Sequence, residues 1–198
     1  MEITAAMVRE LREKTNAGMM DCKQALQETG GNMDKAVDLL RQKGLATAMK
    51  RAGKQASEGL VHAYIHAGGR LGVLLEVNCE TDFAAKSQDF QDFVKNVAMH
   101  IAAANPLGIA KEDVPPEAIE RERAIYLAQA QESGKPANIL EKMVDGKMRK
   151  YFQEVVLLEQ AYVKDPDKTI QDYLNELLAK TGEKILIRRF VRFQLGAE

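Results

Sequence analysis

The chain has 198 residues, of which 45% are apolar and 29% charged, a globular composition that is neither disordered nor membranous. Lysine and arginine number 28 against 29 acids, a net charge of −1, so the basic excess of a dedicated nucleic-acid binder is missing. The sequence has no run of about 18 apolar residues, which excludes a transmembrane helix.

Met1-Glu2-Ile3-Thr4 shows neither the basic nor the apolar stretch of a secretory signal. Thr4 can cap a first helix, in which Val8 and Leu11 form an apolar stripe among Arg9, Glu10, Arg12, Glu13 and Lys14. Asn16-Ala17-Gly18 breaks it. A second helix runs from Met19 to Thr29 with Cys22, Ala25 and Leu26 on one face, and Gly30-Gly31 closes it. Asn32 caps a third, with Ala36, Val37 and Leu40 inward, and Gly44 is expected to stop it. A bundle of about 40 residues is marginal alone and needs support from the rest of the chain. Met19 and Met20 are consecutive, so both cannot face one core. They suit either gap-filling or an adaptable contact surface. Cys22 reads as a small buried hydrophobe. With Cys79 it makes no CxxC, no zinc knuckle and no disulfide framework, which fits a reducing cytoplasm. From 41 to 57, Arg41, Lys43, Lys50, Arg51 and Lys54 stand without an acid, as in a solvated, partly helical tether.

Residues 60–67 and 70–79 alternate as strands. Leu71, Val73, Leu75, Val77 and Cys79 give the second one dry face, and Gly68-Gly69 fits a two-residue hairpin turn. His62 and His66 lie about 13 Å apart on such a strand, too far to share a metal. Thr81 is a helix N-cap, Asp82 suits the first turn, and Phe83 is a large aromatic at an element boundary, where the plain expectation is that it tucks into its own core. Ser87 caps a long amphipathic helix carrying Phe90, Phe93, Val94, Val97 and Ile101, which Asn105-Pro106 ends. His100, on that helix, has packing as its default role.

Pro115-Pro116 opens a charged helix, Glu117 to Ser133, anchored by Ile119 and Ile125. Gly134-Lys135-Pro136 turns the chain into a helix with Ile139, Leu140, Met143 and Val144, giving a helical hairpin at about 117–152. An irregular stretch ends at Asp165-Pro166, and Thr169 opens a helix bearing Tyr173, Leu174, Leu177 and Leu178. A last strand, Lys184 to Leu195, places Ile185, Ile187, Val191, Phe193 and Leu195 on its odd face, broken by Arg189. Three strands beside helices make an α+β fold: an N-terminal three-helix bundle, then a small three-stranded antiparallel sheet with flanking helices. Leu74, Leu186 and Phe190 on the sheet's other face suggest a partner surface for a second copy of the chain.

Leu11-Arg12 followed by Thr15-Asn16-Ala17-Gly18-Met19-Met20-Asp21-Cys22-Lys23-Gln24-Ala25-Leu26 resembles the opening signature of translation elongation factor Ts. Glu76-Val77-Asn78-Cys79-Glu80-Thr81-Asp82-Phe83-Ala84-Ala85-Lys86 resembles its second signature, and Ile187-Arg188-Arg189-Phe190 is also similar to the family. The resemblance spans the chain and fits a short bacterial or organellar form. It implies a guanine nucleotide exchange factor that binds elongation factor Tu, both GDP-bound and nucleotide-free, displaces its Mg²⁺ and promotes GDP release. It also implies an N-terminal module, 1–44, similar to a ubiquitin-associated fold, a basic linker at 45–58, and an α+β core and dimerisation domain at 59–198.

In the family the Asp and Phe of the TDF motif press near the partner's nucleotide-bound Mg²⁺. Carried over, these are Asp82 and Phe83, flanked by Thr81 and Ala84, where the family often has Val. Arg12, Met19 and Met20 match the contacts of the N-terminal module with the partner's G domain, and His66 resembles a partner-facing histidine. Longer members carry two copies of the core; one copy implies a homodimer. Val191 stands near where some short relatives place a subunit-bridging Cys, so the dimer is expected to be noncovalent. No cofactor or metal of the chain's own, no membrane and no direct nucleic acid is expected, and a cytoplasmic location is.

The competing reading is an RNA-binding module in which Arg188, Arg189 and Arg192 alternate with Phe190 and Phe193 as a stacking platform. The balanced net charge and the apolar odd face weigh against it. An enzyme fits less well still, since there is no Gly-rich phosphate loop, nucleophile elbow or metal-spaced cluster.

Overall fold

The computed structural model describes residues 3–15, 17–51, 53–132 and 136–197. Asn16, Ser133 at the expected end of the charged helix, and Gly134 and Lys135 of the expected turn lie outside these, as do Met1 and Glu2. The fold is α+β, with a three-stranded antiparallel sheet and a separate two-stranded one. Cα proximity divides the chain into two compact units. The first takes Met1–Ala63, Leu74–Asn96 and Asp172–Phe190; the second takes Tyr64–Val73, Val97–Gln171 and Val191–Glu198.

The first unit opens with helices α1 (Ala5–Thr15), α2 (Met19–Glu28) and α3 (Met33–Arg51). Thr4 Oγ1 accepts the Met7 N–H at 3.3 Å, and Asn32 Oδ1 accepts that of Lys35 at 3.0 Å, so both expected caps form. Gly30 and Gly31 adopt φ of 61° and 83°, and the Gly31 N–H returns to the Leu26 carbonyl at 2.8 Å, closing α2. Leu11, Cys22, Ala25, Leu26 and Ala36 are fully buried in the bundle core. Truncating a leucine there costs about 2–5 kcal/mol.

Gly44 does not stop α3, which runs on through seven residues of the expected linker to Arg51. Its φ is not positive, and a Cβ at that position would lie 3.5 Å from the Cβ of Ala179, so Gly44 sits where α3 approaches helix α8 (Ile170–Thr181). Arg41 pairs with Asp172 on the same helix. The marginal bundle therefore leans on α8.

The sheet order is β1 (Glu58–Ile65), β2 (Leu71–Cys79), β5 (Ile185–Gln194). In the first unit Leu75, Val77 and Cys79 of β2 are fully buried, as expected of the dry face, and Ile185 and Ile187 of β5 are buried too. Helix α4 (Asp82–Lys86) follows β2, and α5 (Gln88–Ala104) begins just after it, its Phe90 N–H donating to Ser87 Oγ at 3.3 Å. Phe90, Phe93 and Val94 are fully buried, and Phe93 packs 4.9 Å from Tyr173 between ring centroids.

In the second unit α6 (Pro116–Gln131) and α7 (Ala137–Val155) pack as the expected helical hairpin around Ala130, Val144, Met148 and Tyr151. Ile119 joins that core, but Ile125, expected as an anchor, is 43% exposed; Tyr126 and Ala130 take its place. β3 (Ala161–Tyr162) and β4 (Asp165–Thr169) form a small antiparallel hairpin where an irregular stretch was expected. The polar, proline-bearing Asp165-Pro166-Asp167-Lys168-Thr169 carries no strand signature. His100 is buried, Nε2 2.9 Å from Gln160 Oε1, as packing required.

Two further details differ from the sequence reading. The β1–β2 turn is longer than two residues: β1 ends at Ile65, the His66 N–H bonds the Leu71 carbonyl at 2.9 Å, and Gly68 and Gly69 take φ of 89° and 68°. The odd face of β5 does not stay dry. Arg188 and Arg189 are both exposed, and beyond them the odd residues Val191, Phe193 and Leu195 stand exposed to solvent.

Candidate functional site

β2 ends on a buried residue, Cys79. Its Sγ donates to the Thr81 carbonyl at 3.1 Å, and burial, reinforced by the charge of Glu183, pushes the thiol up to about 11. Thr81 is extended at φ −127° and ψ 152°, and its Oγ1 accepts the Ala84 N–H at 3.2 Å as the N-cap of α4. A helix of five residues cannot hold itself together. Ala84 is its foot, buried at 5% exposure, and Ser87 Oγ donates to the Ala84 carbonyl at 2.7 Å from the other end.

With Ala84 inward, the preceding turn points away from the core. Phe83 is 83% exposed, so it does not tuck into its own subunit. An aromatic ring left in water forgoes about 2–3 kcal/mol of burial, which a partner's pocket can recover. Asp82 and Lys86 are both exposed and pair at 2.8 Å across one helical turn. The Lys86 ammonium, hydrogen-bonded to Asp82, holds its carboxyl below the usual carboxylate range, and Lys86 is raised in return.

Glu183 completes this corner. Its Oε1 accepts from Thr81 Oγ1 at 2.6 Å and its Oε2 from the Thr81 N–H at 3.1 Å, while Glu80 Oε1 accepts the Lys184 N–H at 2.6 Å. Local pattern reading could not find Glu183, which lies 102 residues from Thr81.

Arg12, Met19 and Met20 come together on the N-terminal bundle. They line a surface groove of about 710 Å³ with Ile3, Val8 and Lys23. Met19 is 59% and Met20 74% exposed, so neither is gap-filling core. His66, which follows β1 in the second unit, is exposed, with Nδ1 2.9 Å from the Tyr64 hydroxyl. Thr81, Asp82, Phe83 and Ala84, like the groove, belong to the first unit.

On the C-terminal strand, part of the arginine and aromatic set is engaged by the chain itself. Arg189 Nε bonds Glu76 Oε2 at 2.7 Å, Arg192 Nε bonds the Ala102 carbonyl at 3.2 Å, and Phe190 is half-buried. Among the described residues no cluster of His, Cys, Asp or Glu could hold a metal ion, and no helix is long and apolar enough to cross a membrane.

Residues 2–197 match the model of the family described as Elongation factor TS. A protein named elongation factor Ts from Syntrophobacter fumaroxidans (strain DSM 10017 / MPOB) is 79% identical over 198 residues, all of this chain and 99% of that protein. One of the same name from Citrifermentans bemidjiense is 64% identical over 99% of this chain and 91% of the relative. Another, from Desulfosudis oleivorans, is 62% identical over 98% of each.

Proposed function

The chain belongs to the elongation factor Ts family and is a guanine nucleotide exchange factor for elongation factor Tu; we propose that it works by docking through one surface and prying with another. The reading is carried by Phe83, an aromatic side chain 83% exposed on a helix whose foot is buried.

An exchange factor performs no bond chemistry. It binds the nucleotide-free partner more tightly than the nucleotide-bound one, and linkage weakens the nucleotide by the same factor. Phe83 enters the partner's G domain and shifts groups that support the Mg²⁺ beside the nucleotide. Magnesium requires near-ideal octahedral geometry, so a small displacement loosens its grip on the phosphates. Asp82 faces the same region, while Thr81 and Ala84 fix the helix from behind. A release accelerated about 10³-fold needs a barrier lower by about 4 kcal/mol, more than one aromatic supplies. The remainder comes from contacts elsewhere in the interface that form only as the partner distorts. Arg12, Met19 and Met20 hold the partner equally in either state as the contact surface of a module spanning 1–44, and His66 adds a partner-facing group from the second unit.

The chain acts as a cytoplasmic homodimer. On the second unit Ile65, Val191, Phe193 and Leu195 are all exposed, with Ile65 Cδ1 3.0 Å from where a Cβ on Gly72 would stand. Apolar strand residues displayed in this way are a pairing surface. Phe193→Asp is expected to convert the dimer to monomer in sedimentation equilibrium; a wild-type chain that sediments as a monomer rejects this part.

The test of the main reading mixes the chain with elongation factor Tu loaded with fluorescent GDP. Release should accelerate by orders of magnitude over the spontaneous rate, and release at the spontaneous rate would refute it.

A further inference from the structure

We propose that Glu183 is the residue that positions the wedge, acting through Thr81. The inference rests on the reading of Phe83 above. It names a residue outside both signatures, on the loop between α8 and β5.

Helix α4 is five residues long and has no length to keep its own direction. A ring that must distort another protein needs a mount that does not yield. Thr81 is that mount, and every polar atom it has is engaged. Its carbonyl accepts from Cys79 Sγ at 3.1 Å and from the Ala85 N–H at 3.3 Å. Its hydroxyl accepts the Ala84 N–H at 3.2 Å and donates to Glu183 Oε1 at 2.6 Å, while its own N–H donates to Glu183 Oε2 at 3.1 Å. One carboxylate thus takes both donors of one residue. Hydrogen bonds to a charged acceptor are shorter and about twice as strong as neutral ones.

Glu183 is itself fixed. Gly182, at φ 68°, ends α8 with its N–H on the Leu178 carbonyl at 2.9 Å. The Glu183 N–H reaches Thr181 Oγ1 at 3.3 Å, and Thr181 Oγ1 reaches the Leu177 carbonyl at 2.9 Å. Leu177 and Leu178 are core residues. The neighbouring bond, Lys184 N–H to Glu80 Oε1 at 2.6 Å, runs in the opposite sense, so the two chain segments hold each other twice. The path from the buried face of α8 to the exposed ring passes through this carboxylate.

The chemistry is selective for glutamate. Glutamine offers one acceptor oxygen where two donors need one each, and alanine offers none. The expected result concerns the rate at saturation, not docking. In a concentration series against elongation factor Tu carrying fluorescent GDP, Glu183→Ala should lower the maximal release rate roughly 10-fold, as loss of a charged hydrogen-bond pair implies. The half-saturating concentration should change less than about 3-fold, because the groove that docks is untouched. Glu183→Gln should fall between alanine and wild type.

Adding Glu183→Ala to Phe83→Ala should slow release no further, because a positioning residue has nothing left to position. A general loss of stability would slow the double variant again and would move the half-saturating concentration. Full maximal rate in both Glu183 variants, or a loss confined to the half-saturating concentration, overturns the proposal. If Phe83→Ala itself releases nucleotide at the full rate, the wedge reading fails rather than this one.

Discussion

The N-terminal groove and the α4 corner both expose apolar side chains, and they are built in opposite ways. The groove rests on two methionines, unbranched and flexible, at the start of a helix whose N-cap, Gly18, gives no side-chain hydrogen bond. The α4 corner carries one rigid ring on a helix capped by Thr81, footed by Ala84 and tied to Glu183. A surface that only holds a partner gains from adapting to it. A group that must change the partner's shape has to resist being changed itself, since a compliant wedge would relax and leave the nucleotide in place. On the proposed reading, binding falls to the first region and distortion to the second.

The largest expected effect lies at the ring. Phe83→Ala should reduce the maximal rate of GDP release roughly 10²-fold, the equivalent of the area a phenyl ring buries, with docking to GDP-bound elongation factor Tu nearly intact. Stopped-flow release over a concentration series separates the two quantities. Met20→Ala should reverse the pattern, raising the half-saturating concentration roughly 5–10-fold with the maximal rate unchanged. If both variants moved the same quantity, the division of labour would dissolve.

The smallest effect is expected at Lys86→Ala. Its pair with Asp82 is exposed on both sides, and such pairs contribute little. Maximal rate and affinity should change less than about 2-fold. The sign of the pH dependence follows from the lowered Asp82 carboxyl. The pair persists above the ordinary carboxylate value and is lost only as pH falls through the lower folded one. Release measured from about pH 8 to about pH 6 should therefore show no step from this pair. A step there that Lys86→Ala abolished would give the pair a larger role than the contrast allows.

Much of this was legible because the signals are local. Thr4, Asn32, Thr81 and Ser87 cap helices through atoms three residues away, and Gly30-Gly31 must take positive φ to close α2. The burial of β2 followed from its alternation. What escaped reading depends on distant partners. Gly44 looked like a stop signal, but α8 supplies the neighbour that makes it a close-approach site. Beyond Ile187 the odd residues Val191, Phe193 and Leu195 are left uncovered, and Arg189 finds Glu76 on a neighbouring strand. Whether Phe83 faced inward or outward could not follow from its own neighbours in sequence, because the buried foot and the carboxylate brace are both tertiary. The family motif marked the residues proposed as the site; the fold explains why the ring points outward.

Exchange rests on preferring the empty partner, so the affinities of the chain for nucleotide-free and GDP-bound elongation factor Tu, measured side by side by calorimetry, test the claim most directly. The wild-type chain should favour the empty form strongly. Phe83→Ala should shrink that preference at least about 10-fold by weakening the empty complex alone, while Met20→Ala weakens both complexes equally and leaves the preference intact. A Phe83→Ala chain that kept the full preference would contradict the account.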